Sequence, residues 1–178
     1  MKYCECDIAL TLDEHLVLCH DVNFKRLALF DDGQSSREIG ELTYRELIAL
    51  PLKSGERPPK LVDALQSAAD IGGGAQMVIE IKTGNAGAGR ALCGLLANEP
   101  ALIQSVGVVM SFDLCILHQF AKEWLAVEEE RKNSGTYIQR EFQILLLTVC
   151  DPVEEAPYLR INMADEHLSL KLDGTSHY

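Results

Sequence analysis

Three acidic residues lie in two segments that are otherwise largely apolar. Glu5 and Asp7 alternate with apolar residues in the first segment, and Glu80 lies within the sequence Met-Val-Ile-Glu-Ile-Lys. Side chains two positions apart on a strand point to the same face, about 6–7 Å apart. Carboxylates at that distance repel each other unless a positive charge lies between them. If the two segments form neighbouring parallel strands, the three carboxylates make a set of hard oxygen ligands suited to Mg²⁺ or Ca²⁺.

Simpler explanations of the same acidic residues stay open. The face that carries Glu5 and Asp7 can be a solvated face, as on an exposed edge strand. Glu80 is costly in its apolar strand unless it is paired or bound to a metal, and Lys82, the next residue on its face, can provide the pair. In the metal interpretation, Lys82 instead serves as a point charge for a substrate phosphate.

A histidine follows the second apolar run of the chain. His20 comes directly after the run 16–19 and precedes Asp21. An imidazole titrates near neutral pH, so a histidine close to the carboxylates is suited to general acid catalysis. A histidine at the end of a buried strand is also often a satisfied structural side chain, and the sequence leaves both interpretations of His20 open.

The spacing of apolar residues predicts strands that alternate with helices. Strands are expected at 3–11, 76–82, 105–112 and 142–149, and 16–19 forms a hairpin with the first. Helices are expected at 61–71, 86–97 and 113–131, and Thr43 with Glu46 has the spacing of a capping box before a short helix. The almost wholly apolar segment 142–149 suits a strand that is buried on both faces. Repeated strand–helix units imply a parallel sheet with helices outside it.

Composition excludes several classes of protein. The net charge of −11 argues against binding to nucleic acid, because a phosphate backbone requires Lys and Arg. No apolar run approaches the length of a transmembrane span, and the N-terminus has no apolar signal core. Six cysteines without a C-x-x-C pair are expected to be small buried thiols in a reducing compartment. We therefore expect a cytoplasmic protein.

Several motifs together resemble a known family. The segment ECDIALTLDEHLVLCHD resembles the E-x-D, T-x-D and H-D pattern of the glycerophosphodiester phosphodiesterases, and Arg26 lies where that family has an arginine after H-D. The segments ELTYRELIALPL, PPKLVDAL, VIEIK and MSFD resemble later motifs of the same family, with Lys60 in place of a threonine. The resemblance covers the chain from its start to about residue 149, and it is the combined spacing that makes it specific.

The resemblance implies a fold, a reaction and a set of site residues. The family folds as a TIM barrel, with the active site at the carboxyl ends of the strands. The implied reaction is hydrolysis of a small-molecule glycerophosphodiester to glycerol 3-phosphate and an alcohol, with Mg²⁺ or Ca²⁺ as cofactor. The implied roles are metal ligands for Glu5, Asp7 and Glu80, a catalytic proton donor for His20, and substrate binding for Lys82 and Arg26.

The chain departs from the family pattern at both ends. The H-R-G motif of the family's first strand, which supplies a second catalytic histidine, is not present, and a full barrel needs about 250 residues. We expect an α/β fold that is an incomplete TIM-type (β/α) barrel with a parallel sheet, in which the first strand and the last strands are missing. The expected division is a partial phosphodiesterase domain at 1–150 and an irregular tail at 151–178.

Three explanations of such a chain compete. We favour a truncated form of an active enzyme, in which turnover is impaired because one histidine is absent. The alternative is a short protein of the same fold that binds a metal or a partner without catalysis. A third possibility is a structural α/β domain whose polar faces are merely solvated.

Overall fold

A sheet of seven strands forms the centre of the computed structural model, which describes residues 3–30, 33–85, 87–136, 142–147, 159–161 and 170–172. Strands β1 to β7 are Tyr3–Leu10, Leu16–Leu18, Gln76–Ile81, Val106–Ser111, Gln143–Leu146, Leu159–Ile161 and Leu170–Leu172. Helices α1 to α4 are Tyr44–Leu47, Leu61–Ile71, Ala88–Asn98 and Leu114–Ser134. Short 3₁₀ segments lie at Ile39–Glu41 and Pro100–Ser105.

The sheet has a parallel centre and antiparallel edges. The strand order is β2-β1-β3-β4-β5-β6-β7, and β1, β3, β4 and β5 are parallel neighbours. Strand β2 is the hairpin partner of β1, and β6 and β7 continue the sheet in antiparallel fashion. Helices α2, α3 and α4 lie in the chain between or beside the parallel strands, so the predicted α/β class with a parallel sheet is confirmed.

Local sequence signals account for most element boundaries. The capping box predicted at Thr43 is present, since its side chain accepts from the Glu46 amide and Glu46 reaches back to the Thr43 amide. Asp113 caps α4 by accepting from the amides of Cys115 and Ile116. Helix α2 spans the predicted residues, and its C-cap is Gly72 at a φ of 68°, a conformation that glycine adopts at little cost.

The last predicted strand is shorter and more exposed than its sequence suggests. Strand β5 ends at Leu146, and residues 148–150 lie outside the described residues. Ile144 is buried, but Gln143 is exposed and Leu145 is half-buried. Helix α4 packs against β5, but of the strand's four residues only Ile144 is fully buried. The expectation of burial on both faces is therefore wrong for β5.

The tail that was expected to be irregular contains regular structure. Strands β6 and β7 lie within 151–178 and pair with each other in antiparallel register. Each has three residues, Leu-Arg-Ile and Leu-Lys-Leu, so each offers a single apolar alternation. Strands are recognised from alternation over about four to eight residues, which is why periodicity missed these two.

Two groups of apolar side chains hold the elements together. The larger one packs the sheet against α2, α3 and α4, and its fully buried members include Ile8, Ile79, Leu65, Leu92, Leu117 and Phe120. The smaller one lies beneath the segment between β2 and α2, and comprises Ala9, Val17, Cys19, Phe24, Ile39, Leu42, Leu47 and Leu50. The smaller group fixes the start of the segment that carries His20.

The described cysteines are free thiols in two different environments. Cys6, Cys19 and Cys93 are buried, as expected, whereas Cys4 and Cys115 are exposed. Burial raises the pKa of the Cys6 and Cys93 thiols to about 12, so these two behave as apolar side chains. Of the helices described, none combines the length and apolar character needed to cross a bilayer.

Candidate metal centre

Strand register brings the three acidic residues together. Asp7 on β1 is the direct partner of Glu80 on β3, and Glu5 pairs with Val78 two positions earlier. Because β1 and β3 are parallel neighbours, partner residues share a face, and residues two apart share it as well. Glu5, Asp7 and Glu80 each offer a carboxylate oxygen, and these oxygens lie within 4.8 Å of one another. The sequence-based hypothesis placed these three carboxylates in one cluster, as the structure does. Their assignment as metal ligands stays a prediction.

Lys82 lies between two of the carboxylates. Its Nζ donates to Asp7 Oδ1 at 2.7 Å and to Glu80 Oε1 at 2.8 Å. The exposed fractions of the three side chains are 23% for Lys82, 13% for Asp7 and 10% for Glu80, so both ion pairs are poorly hydrated. Burial disfavours the charged ammonium, but the hydrogen bonds to Asp7 and Glu80 outweigh it and raise the pKa of Lys82. Glu80 is thus paired with Lys82 and also lies in the cluster of three carboxylates.

Glu5 is a carboxylate whose negative charge is disfavoured by its surroundings. Partial burial and then the charges of Asp7 and Glu80 raise its pKa, while the nearby Lys82 and His20 act in the opposite direction. A single ammonium thus does not fully compensate three carboxylates. The donor set is made of hard oxygens held close together at a partly solvated edge, which suits Mg²⁺ or Ca²⁺.

His20 lies beside the cluster and contacts Asp21. The Cys19 amide donates to the Asp7 carbonyl at 3.1 Å, which brings the chain next to β1 one residue before His20. The His20 side chain is 68% exposed, and its Nδ1 lies 2.9 Å from Asp21 Oδ1. The imidazole is also close enough to Glu5 to act on it electrostatically, and its role as a proton donor stays a prediction.

Arg26 binds Asp21. Its Nε donates to Asp21 Oδ2 at 2.7 Å. The hydrogen bonds from Arg26 and then from His20 hold the pKa of Asp21 at about 2. Asp21 thus joins the two predicted site residues, a link that the H-D motif indicated only as adjacency in the chain.

Two further motif residues organise the site without joining the cluster. Asp13 of the T-x-D motif accepts from the Thr11 hydroxyl at 2.7 Å and from the Tyr44 amide at 2.8 Å, which ties the hairpin to the start of α1. Ser111 Oγ donates to the Ile81 carbonyl at 2.6 Å, which joins the carboxyl ends of β3 and β4. Both contacts lie at the carboxyl ends of the parallel strands β1, β3 and β4.

The other described histidines have different surroundings. His15 on the hairpin stacks on Tyr44, with ring centroids 5.4 Å apart, and His118 is exposed on α4. Among the histidines of the described part of the chain, His20 is the one beside the carboxylates.

Three solved structures that align with the chain are named as phosphodiesterases. The chain aligns with a protein from Silicibacter pomeroyi named as a glycerophosphoryl diester phosphodiesterase at a TM-score of 0.58 and 20% identity, over 83% of this chain and 55% of that one. It aligns with an Oleispira antarctica phosphodiesterase in complex with the product sn-glycerol-3-phosphate at a TM-score of 0.56 and 17% identity, over 85% and 74% of the two chains. A glycerophosphodiester phosphodiesterase from Agrobacterium tumefaciens gives 0.50 and 18%, over 72% and 52%.

These comparisons define the fold class and the family. The arrangement of parallel strands and helices corresponds to part of the TIM-type (β/α) barrel of such enzymes, which confirms the predicted fold. A model of the glycerophosphoryl diester phosphodiesterase family matches residues 1–147, and the chain therefore belongs to that family. It spans about half the length of the Silicibacter and Agrobacterium proteins. No curated protein sequence matches it significantly.

Proposed function

We propose that this chain binds one divalent cation, Mg²⁺ or Ca²⁺, through Glu5, Asp7 and Glu80 and hydrolyses glycerophosphodiesters to glycerol 3-phosphate and an alcohol. The observation that carries the proposal is the convergence of three carboxylate oxygens within 4.8 Å of one another on two parallel strands. Membership of the family supports the reaction class. The Oleispira antarctica phosphodiesterase in complex with sn-glycerol-3-phosphate supports a small-molecule product of this kind.

The cluster has the donor chemistry that such a cation requires. A bound divalent cation polarises phosphoryl oxygens and stabilises the negative charge that develops on them during hydrolysis. Lys82 pairs with Asp7 and Glu80, and its ammonium would supply a positive charge for a substrate phosphate beside the cation. We assign Lys82 to substrate binding on this basis.

Arg26 and His20 complete the proposed site. The guanidinium of Arg26 has five N–H donors, and the one on Nε donates to Asp21. We assign the N–H groups of its two terminal nitrogens to the oxygens of a substrate phosphate. His20 holds a proton at its ring and delivers it to the oxygen of the leaving alcohol, so that the alcohol departs neutral. With a single imidazole beside the cluster in the described residues, we propose that turnover of this chain is impaired.

The other expectations from the sequence fit the same proposal. We propose that residues 1–150 form the partial phosphodiesterase domain and that 151–178, whose strands β6 and β7 extend the same sheet, form its tail. The net charge of −11 supports a small-molecule substrate rather than nucleic acid. The free thiols support a reducing compartment, and on that basis we propose a cytoplasmic location.

A second candidate function is metal binding without turnover. The observation that favours it is the single imidazole beside the cluster in the part of the chain that the structure describes. Hydrolysis normally uses two groups, one that removes a proton from the nucleophile and one that gives a proton to the leaving group. The two candidates share the metal site and differ only in chemistry, so one set of measurements separates them.

The experiment combines titration calorimetry with hydrolysis of glycerophosphocholine. Both candidates predict that Mg²⁺ or Ca²⁺ binds and that Glu80→Gln weakens binding at least about tenfold, equivalent to ~1.4 kcal/mol. Asp70→Asn, an exposed change on α2, serves as a control of the same chemistry. Metal-dependent release of glycerol 3-phosphate that His20→Ala abolishes supports the phosphodiesterase. Metal binding without release supports the second candidate, and absence of metal binding refutes both.

A further inference from the structure

We propose that Asp21 is a positioning residue that fixes the tautomer and orientation of the His20 ring, and that Arg26 acts on His20 through Asp21. The role in catalysis rests on the proposed function, since it takes His20 as the proton donor. The structural part of the proposal, that one carboxylate determines which ring nitrogen of His20 carries the proton, can be tested without any turnover.

The carboxylate of Asp21 bridges the side chains of His20 and Arg26. One of its oxygens lies 2.9 Å from His20 Nδ1, and the other accepts from Arg26 Nε at 2.7 Å. A carboxylate accepts hydrogen bonds and donates none, so the short contact places the ring proton on Nδ1. The lone pair of neutral His20, or its second proton when the ring is charged, is then on Nε2, the nitrogen that remains for a substrate.

Both ends of the bridge are attached to ordered backbone. Cys19, the residue before His20, donates to the Asp7 carbonyl at 3.1 Å. On the other side, Lys53 Nζ donates to the Arg26 carbonyl at 2.8 Å, and the Lys53 amide donates to the Leu27 carbonyl at 2.9 Å. These contacts hold the backbone on either side of Asp21, so the carboxylate is presented to the ring in a defined direction.

The charges around His20 favour this arrangement. Asp21 remains an anion at any working pH, because Arg26 and His20 hold its pKa at about 2. The imidazole also acts electrostatically on Glu5, in the direction that lowers the pKa of that carboxyl. Glu5 belongs to the carboxylate cluster, so His20 acts on the cluster through its electrostatic effect on Glu5, whereas it contacts Asp21 directly. A ring held at Nδ1 by Asp21 directs Nε2 away from the bridge.

Besides its proposed contact with a phosphate, Arg26 restrains Asp21. Its Nε donates to Asp21 Oδ2 at 2.7 Å, and a charge-assisted hydrogen bond of this kind restrains the carboxylate. Loss of the guanidinium would therefore disturb His20 even though the two side chains do not pair directly. This effect is separate from any contact that Arg26 makes with a phosphate.

Long-range ¹H–¹⁵N correlation of the histidine rings tests the proposal on the whole chain. Above the titration range of the imidazoles, the nitrogen shifts report which nitrogen carries the proton. We expect His20 to be predominantly the Nδ1–H form in the wild type. We expect Asp21→Ala to lower the ratio of Nδ1–H to Nε2–H at least about fivefold, since a hydrogen bond to a charged group is lost. Arg26→Ala should lower it less.

Two controls separate positioning from a general structural effect. Asp21→Asn retains an acceptor oxygen and should restore part of the Nδ1–H form. The tautomer ratio of His15, measured in the same spectrum, should not change in Asp21→Ala. Asp70→Ala, on the exposed side of α2, should leave the His20 ratio unchanged. Circular dichroism confirms that each variant is folded.

The outcomes separate this inference from the proposed function. If wild-type His20 is mainly the Nε2–H form, or if Asp21→Ala leaves the ratio unchanged, the positioning role is refuted whatever the activity. If the ratio changes as expected but glycerophosphocholine is not hydrolysed, the positioning role stands and the phosphodiesterase proposal fails. If turnover is measurable, Asp21→Ala should lower kcat about tenfold with less effect on KM, and Asp21→Asn should recover part of the loss.

Discussion

Replacing Lys82 with methionine tests the electrostatics of the cluster most directly. Lys82 is the cation that lies between Asp7 and Glu80, at 2.7 Å and 2.8 Å. Methionine keeps an unbranched apolar stem of similar reach and removes the charge. Two carboxylates with exposed fractions of 13% and 10% then lose their partner and repel each other, with Glu5 adding a third negative charge.

The expected loss of stability follows from the burial of these ion pairs. Breaking a fully buried pair typically costs about 3–5 kcal/mol, because the remaining charge stays desolvated. Lys82 keeps 23% of its side-chain exposure, and water at this edge reduces the penalty, so we expect about 2–3 kcal/mol. Urea unfolding followed by circular dichroism in the presence of a chelator measures it, with Lys122→Met on the exposed side of α4 as a matched control.

A divalent cation should then restore the stability of Lys82→Met. A ligand that binds the folded state stabilises it by RT ln(1 + [L]/Kd), and the variant offers Mg²⁺ or Ca²⁺ a cluster with no competing ammonium. We expect the midpoint of unfolding to rise more in the variant than in the wild type when the cation is added. A change of less than about 0.5 kcal/mol in the chelated variant, the usual range for surface substitutions, would refute the electrostatic reasoning, and failure of either cation to restore stability would refute the metal site.

Three further substitutions test separate contacts. Glu5→Gln should stabilise the metal-free protein at pH 7 but not at pH 4, because the raised pKa of Glu5 makes its ionisation cost stability as the pH rises above the ordinary value of 4.5; urea unfolding at the two pH values measures this. Arg131→Met should cost about 2–3 kcal/mol in the same assay, since Arg131 donates to the Leu96 carbonyl at 2.6 Å at the end of α3. Asp13→Ala should cost about 1 kcal/mol, the typical net value of a lost hydrogen bond, because Asp13 accepts from the Tyr44 amide at 2.8 Å.

Each of these predictions has a result that would contradict it. An equal gain for Glu5→Gln at both pH values would mean that removal of the charge is not the cause. Unchanged unfolding of Arg131→Met would show that the α3 carbonyls find water in place of the guanidinium. Asp13→Ala with wild-type stability would mean that the hairpin and α1 are held by their apolar contacts alone.

Some features of the site follow from local sequence. The two-residue spacing of Glu5 and Asp7 specifies a shared face once the segment is a strand. The cost of a carboxylate in the apolar segment around Glu80 indicates that something must compensate it. The capping box at Thr43 and Glu46 determines where α1 begins, since a cap depends on residues only three positions apart.

Other features depended on contacts between distant residues. Periodicity assigns Glu80 to a face but not to a partner, and only the register of β1 with β3 brings it opposite Asp7, 73 positions away in the chain. The same is true of Lys82, whose ammonium reaches both carboxylates, and of Asp21, which joins His20 to Arg26. Local residue types determined which chemistry was available, because side-chain pKa and hydrogen-bonding capacity are properties of the residue. The tertiary structure decided which groups interact, because strand pairing sets distances that no local pattern encodes.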